Sequence, residues 1–104
     1  MREVVVVTGG SRGIGRAAAL RFARRRGTCL VLVGRDETAL ASAAHDCRAL
    51  GAEVLTVAVD LATAEGPGKA ADAAIDRFGR IDVWVASASV FSYGSVESTP
   101  DAVR

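Results

Sequence analysis

The sequence has little of what marks a metal-bound, membrane-spanning or secreted chain. Its two cysteines, Cys29 and Cys47, stand in no C-x-x-C spacing, and its one histidine, His45, has no carboxylate or cysteine at ligand spacing. A metal or redox motif is therefore not expected, and both thiols read as reduced and packed. No apolar run approaches the roughly 20 residues that cross a bilayer. Met1-Arg2-Glu3 leads directly into an apolar stretch without a signal-peptide pattern, so the expected compartment is cytoplasmic. Charge of one sign is not in excess either: 13 basic against 12 acidic residues leave a net charge of +1. Bulk electrostatics thus argue neither for nucleic acid nor for an acidic partner. Arg24-Arg25-Arg26, with Arg21 one turn earlier, fits a nucleic-acid patch or a basic complement to a helix C-terminus, and we take the second. There is no internal repeat, linker or low-complexity block.

Half of the 104 residues are apolar, enough for one domain over residues 1–104 to bury a core. The pattern alternates. Strands are expected at 4–8, 28–33, 54–59 and 81–86, and helices at 13–26, 37–50 and roughly 68–78. Near-continuous Val/Leu/Ile runs suit strands buried on both faces, and strand-helix alternation suits right-handed crossovers in a parallel sheet. Gly27, Gly51 and Gly79 each fall just past a helical pattern, where a left-handed cap is wanted. Gly66-Pro67-Gly68 is expected to delay the third helix. Trp84, in the fourth strand, reads as a packing residue.

The richest signal is Thr8-Gly9-Gly10-Ser11-Arg12-Gly13-Ile14-Gly15, which follows the strand-like Val4-Val5-Val6-Val7 and opens a helix. Such a turn brings bare backbone amides to an anion at a helix N-terminus, where the dipole favours negative charge. Gly9 lets the chain leave the strand sharply, Gly13 removes a Cβ that would hold a pyrophosphate away, and Gly15 lets the helix approach the sheet. A plain glycine-rich loop is the competing reading, and the strand-turn-helix setting argues against it. The run lacks the Gly-Lys-Ser/Thr ending of a P-loop. It points to a dinucleotide.

In dinucleotide folds the residue that reads the adenosine ribose lies about 20 positions past the last glycine, and Arg35 stands there. A guanidinium offers a fork of donors to a 2′-phosphate and gains nothing comparable from a free hydroxyl, so Arg35 favours NADP over NAD. Gly34 clears the strand end, and Arg12 is placed to meet the same phosphate. The alternative for Arg35 is a solvated surface arginine. Asp36 fits two roles, a ribose-diol acceptor that would favour NAD or the N-cap of the helix beginning Glu37-Thr38-Ala39-Leu40. Arg35 also opposes a methyltransferase reading, which calls for an acidic residue at that strand end.

With Val59-Asp60-Leu61 and Phe78-Gly79-Arg80-Ile81-Asp82-Val83 added to the glycine turn and Arg35, nearly the whole chain resembles the short-chain dehydrogenase/reductase family. The resemblance implies an α/β, three-layer Rossmann-type fold with a parallel sheet in the order 3-2-1-4, flanking helices and a truncation after strand four. It implies an NADP site on Thr8, Gly9, Ser11, Arg12, Gly13, Ile14, Gly15, Arg35, Asp60, Leu61, Ala86, Ser87 and Ala88. In it Asp60 bonds the adenine amino group with support from the Leu61 backbone, and Ile14 gives an amide to the pyrophosphate. Asp60 fits a strand-end turn equally on its own, and Asp82 reads as a structural start to strand four.

The departures are informative. Where the family carries N-N-A-G after strand four, this chain has Ala86-Ser87-Ala88-Ser89, which leaves Thr8 with fewer side-chain partners and adds a Cβ at Ser89. The family's catalytic serine and Tyr-x-x-x-Lys pair have no counterpart: Tyr93 is the only tyrosine, and position 97 is glutamate. No residue takes a catalytic role, and negligible turnover is expected of this chain alone. Together with Thr99-Pro100, which reads as the start of another helix, this leads to the expectation of a front half of a longer domain. Three functional classes follow: the cofactor half of an NADP-dependent oxidoreductase acting on a small carbonyl or alcohol, a non-catalytic dinucleotide-binding module, or an interaction module. The last would associate, with itself or a partner, through the strand-four edge.

Overall fold

The computed structural model describes residues 3–9 and 13–86. Its elements run β1 (Glu3–Thr8), α1 (Gly13–Ala23), β2 (Thr28–Gly34), α2 (Glu37–Ala49), β3 (Glu53–Ala58), α3 (Gly66–Phe78) and β4 (Val83–Ala86). All pairings are parallel, in the order β3-β2-β1-β4. That is the expected 3-2-1-4 sheet.

Three layers follow from the period of two along each strand. Val5, Val7, Leu30 and Leu32 face α1 and α2, packing with Ala19, Ala23, Leu40, Ala43, Ala44 and Cys47. Val6, Val31 and Val33 point the other way, onto Ala70 and Ala74 of α3, where Trp84 and Phe78 also pack. Because both faces of β1 and β2 are covered, Val4 to Val7 and Cys29 to Val33 are all buried. Each large apolar side chain taken out of water there contributes about 1.5–3 kcal/mol.

The helices meet this bulky sheet with small residues. The buried positions of α1 are Gly15, Ala19 and Ala23, and those of α3 are Gly66, Ala70 and Ala74, a spacing of four that lines one face. Bulk from the strands and clearance from the helices are complementary. The two outer strands of the described residues are less covered: β3 alternates between exposed and more buried positions, and β4 is half-buried throughout.

The caps are largely as expected. Gly27, Gly51 and Gly79 all have positive φ, and the Gly79 N–H donates to the Ile75 carbonyl at 2.8 Å. Helix α1 ends at Ala23, three residues short of expectation, because its last turn tightens: Arg24 and Arg25 donate to the carbonyls of Arg21 and Phe22. Thr28 Oγ1 then bonds the Arg25 carbonyl at 3.0 Å and Glu3 N the Gly27 carbonyl at 3.1 Å, directing the chain into β2.

Helix α3 begins at Gly66, two residues earlier than the glycines suggested. Pro67 occupies its first turn, where no N–H is missed, and Gly66 N donates to Thr63 Oγ1 at 3.1 Å. Gly66 gives clearance: a Cβ there would stand 2.9 Å from the Asp60 carbonyl carbon and 3.0 Å from Leu61 Cα, and closer still to the Asp60 oxygen.

The start of β4 is fastened by Asp82. Its N–H donates to the Val4 carbonyl at 2.8 Å, and its Oδ2 accepts from Val4 N at 2.8 Å. Arg80 grips the same carboxylate, with Nη2 2.6 Å from Oδ1. This bond, with the Val4 N–H second, holds the Asp82 carboxyl below its ordinary pKa. The structural role expected of Asp82 is the one observed.

Candidate functional site

The parallel register brings the C-terminal strand ends to one level. Thr8 pairs with Val33 on one side and Ala86 on the other, and Gly34 pairs with Ala58. Gly9, Arg35 and Asp60 therefore emerge on the same edge of the sheet. The strand order reverses direction between β1 and β4, and ligands of open α/β sheets bind beside such a switch point.

Gly9 extends the β1–β2 ladder by one bond, donating to the Val33 carbonyl at 2.8 Å, and then turns with φ 72°. Gly13, the first residue of α1, has φ 54°, and no described atom lies within 4 Å of where its Cβ would be. Ile14 is 77% exposed in the first turn of α1, whereas Gly15 is buried against the sheet. The sharp exit at Gly9 and the burial of Gly15 are as expected. Gly10, Ser11 and Arg12, between Gly9 and Gly13, lie outside the described residues, as do Ser87, Ala88, Ser89 and Tyr93.

Thr8 is buried, and its hydroxyl donates to the Val85 carbonyl at 3.3 Å. The β4 backbone thus gives Thr8 a partner across the strand pair despite alanine at position 86.

Asp36 is the N-cap of α2: its φ is −92°, its ψ is 103°, and its Oδ1 accepts from Ala39 N at 3.1 Å. Of the two roles that fitted it, capping is realised. Asp60 likewise opens a turn. Its Oδ1 accepts from Ala62 N at 2.9 Å, and its carbonyl accepts from Thr63 Oγ1 at 2.8 Å and Thr63 N at 3.2 Å. Its second carboxylate oxygen faces Arg35, with Nη1 to Oδ2 4.0 Å. The Arg35 side chain is 77% exposed and that of Asp60 44%.

The Arg35–Asp60 juxtaposition and the clearance at Gly66 were not read from the sequence. Asp60 and Thr63, three apart, carry a turn signature, and Gly66 stands three residues further on. That spacing was the available clue to the clearance at Gly66; the approach of Arg35 to Asp60 had none.

Several other charged groups serve structure. Arg16 of α1 pairs with Asp46 of α2, and Arg25 pairs with Glu3 at 3.3 Å while lying over the Phe22 ring at 5.6 Å. His45 is exposed on α2. Cys29 and Cys47 are free and buried, and burial, with Asp46 adding to it, pushes the Cys47 thiol pKa up. A cavity of about 370 Å³ lined by Val4, Cys29, Glu53, Arg77, Phe78 and Arg80 lies at the opposite, N-terminal edge of the sheet. Its arginines are occupied, Arg77 with Glu53 at 3.6 Å and Arg80 with Asp82. No helix among the described residues is long and apolar enough to cross a membrane.

A parallel sheet in this order, with a glycine turn leading from its first strand into a helix beside the switch point, defines a Rossmann-type fold. Comparison with known proteins narrows the class. Residues 3–103 match the short chain dehydrogenase family. The chain is 41% identical over 100 residues to 11-beta-hydroxysteroid dehydrogenase A of Sesamum indicum, covering 95% of this chain and 28% of that protein. Among solved structures, L-sorbose reductase from Gluconobacter frateurii complexed with NADPH and L-sorbose shares 37% identity at a TM-score of 0.79. That match covers 98% of this chain and 39% of the reductase. A short chain dehydrogenase/reductase from Burkholderia phymatum in complex with NAD shares 40% identity at a TM-score of 0.74, covering 80% of this chain and 29% of that one. The chain belongs to the short-chain dehydrogenase family of NAD(P)-dependent oxidoreductases. It spans well under half the length of each of these relatives.

Proposed function

We propose that this chain is the cofactor-binding front portion of an NADP-dependent oxidoreductase that interconverts a small carbonyl and an alcohol. The observation that carries the NADP preference is Arg35: an exposed guanidinium directly after β2, level with the glycine turn and clear of any side chain at Gly34. The site fits the cofactor. Gly9 and Gly13 adopt left-handed conformations, and Gly13 presents backbone with no described protein atom where a Cβ would stand.

In this reading the amides at the start of α1 hold the pyrophosphate, Ile14 among them, with Ser11 and Arg12 contributing from the turn. Arg35 takes the 2′-phosphate. Asp60 accepts from the adenine amino group through the lone pairs left by Ala62 N–H, and the Leu61 backbone supports it. Thr8, Ala86, Ser87 and Ala88 border the ribose beyond the β1–β4 pair. The bound cofactor supplies a hydride. The described residues orient its adenosine end, and Thr8 ties β1 to β4 beneath it.

Protonation of the carbonyl oxygen needs the serine and Tyr-x-x-x-Lys of the family, and this sequence has glutamate four positions after its one tyrosine. Binding without turnover is therefore expected of the chain by itself. Calorimetric titration with NADP and NAD tests the reading. The chain is expected to bind NADP more tightly, and Arg35→Asp to weaken NADP by about ten- to hundredfold, the size of a hydrogen bond to a charged group, with a smaller effect on NAD. Equal losses for both cofactors would remove Arg35 from the 2′-phosphate site.

A further inference from the structure

We infer that Asp60 is a built-in counter-ion to Arg35 and sets how strongly the site separates ligands bearing a 2′-phosphate from those bearing a 2′-hydroxyl. This rests on the reading of Arg35 as the 2′-phosphate residue.

The two members of the pair differ in freedom. Asp60 is held in place: its Oδ1 accepts from Ala62 N, its carbonyl accepts from Thr63, and the Gly66 backbone lies close against that carbonyl. Arg35 extends from the strand end into solvent and meets Asp60 Oδ2 at 4.0 Å. A dianionic 2′-phosphate that engages Arg35 must therefore share the guanidinium with a fixed carboxylate and be repelled by it. A 2′-hydroxyl carries no charge and meets neither penalty. Asp60 thus acts against the preference that Arg35 creates, and the site is tuned below its full selectivity for the phosphate. An exposed ion pair of this kind shifts an equilibrium by about 1.5- to 5-fold. Salt weakens the effect.

The test is equilibrium binding of adenosine 2′,5′-bisphosphate and adenosine 5′-monophosphate to the wild-type chain, Asp60→Asn, Arg35→Ala and the double variant. Any contact Asp60 makes with adenine is common to both probes and cancels in their affinity ratio. The expected result is that Asp60→Asn raises the preference for the bisphosphate about two- to fivefold at low salt, less at high salt, and not at all in the Arg35→Ala background. Asp60→Ser, which keeps a short acceptor for the Ala62 N–H, is expected to do the same and serves if the asparagine chain folds poorly. An unchanged or reduced preference in both Asp60 variants overturns the inference. A wild-type preference that Arg35→Ala leaves intact overturns instead the assignment of Arg35. Absence of measurable binding of either probe to any of the chains overturns both.

Discussion

Replacing Gly66 by alanine puts a methyl group where the Asp60 backbone already stands. The nearest atoms are the Asp60 carbonyl oxygen, its carbon at 2.9 Å and Leu61 Cα at 3.0 Å, none of which can rotate away. Gly66 has no positive φ, so alanine suits its backbone and the penalty is purely steric. Overpacking of this sort costs about 1–3 kcal/mol, offset by about 0.5–1 kcal/mol for removing a helical glycine. The net loss is on the order of 1–2 kcal/mol, which lowers Tm by roughly 5–15 °C at the 4–8 °C per kcal/mol usual for a domain near this size. Gly68, on the other side of Pro67, is the internal control, since no described atom lies within 4 Å of its Cβ position. Gly68→Ala is expected to stabilise by about 0.5–1 kcal/mol. Thermal and urea unfolding of the two variants beside the wild type give opposite signs if the reasoning holds. A Gly66→Ala chain as stable as the wild type would refute the claim that α3 is seated on the Asp60 carbonyl.

Asp36→Ala removes the cap of α2 and is expected to cost about 1 kcal/mol in urea unfolding while leaving the NADP-to-NAD affinity ratio unchanged; a changed ratio would restore a ribose role to Asp36. The lowered pKa of Asp82 gives a pH signature. Its stabilisation is complete above the unfolded carboxyl value of about 3.9 and is lost as pH falls through the lower folded value. The stability gap between wild type and Asp82→Asn is therefore expected to be constant near neutrality and to close in acid, and a gap independent of pH would contradict the pairing. Both thiols are buried and that of Cys47 is raised, so a thiol reagent is expected to label neither cysteine in the native chain and both after denaturation.

The fold was legible because each element announces itself locally. The valine run of β1, the apolar run of β2 and the glycines at 27, 51 and 79 need no knowledge of the rest of the chain. The helix ends that differed by more than one residue, Ala23 and Gly66, are set by contacts with neighbouring turns. At the candidate site, Asp36 and Asp60 were each read with two roles, and local hydrogen bonding realises the capping and turn roles. The approach of Arg35 to Asp60 depends on the β2–β3 register, which places two strand ends side by side and leaves no trace in the spacing of either residue's neighbours. Ion pairs such as Arg16–Asp46 escape for the same reason.

The two-point fastening of Val4 to Asp82 also bears on how long the folded chain persists. The bond from Val4 to Asp82 joins residues 78 apart, roughly three times the separation of the β1–β2 partners, and pairings distant in sequence are the slow ones to form. Bonds formed after the transition state govern the escape rate from the native basin more than the rate of entry. With the β1–β4 pairing expected to form late, Asp82 acts as a latch: loosening it is expected to shorten the lifetime of the assembled sheet more than it slows its assembly.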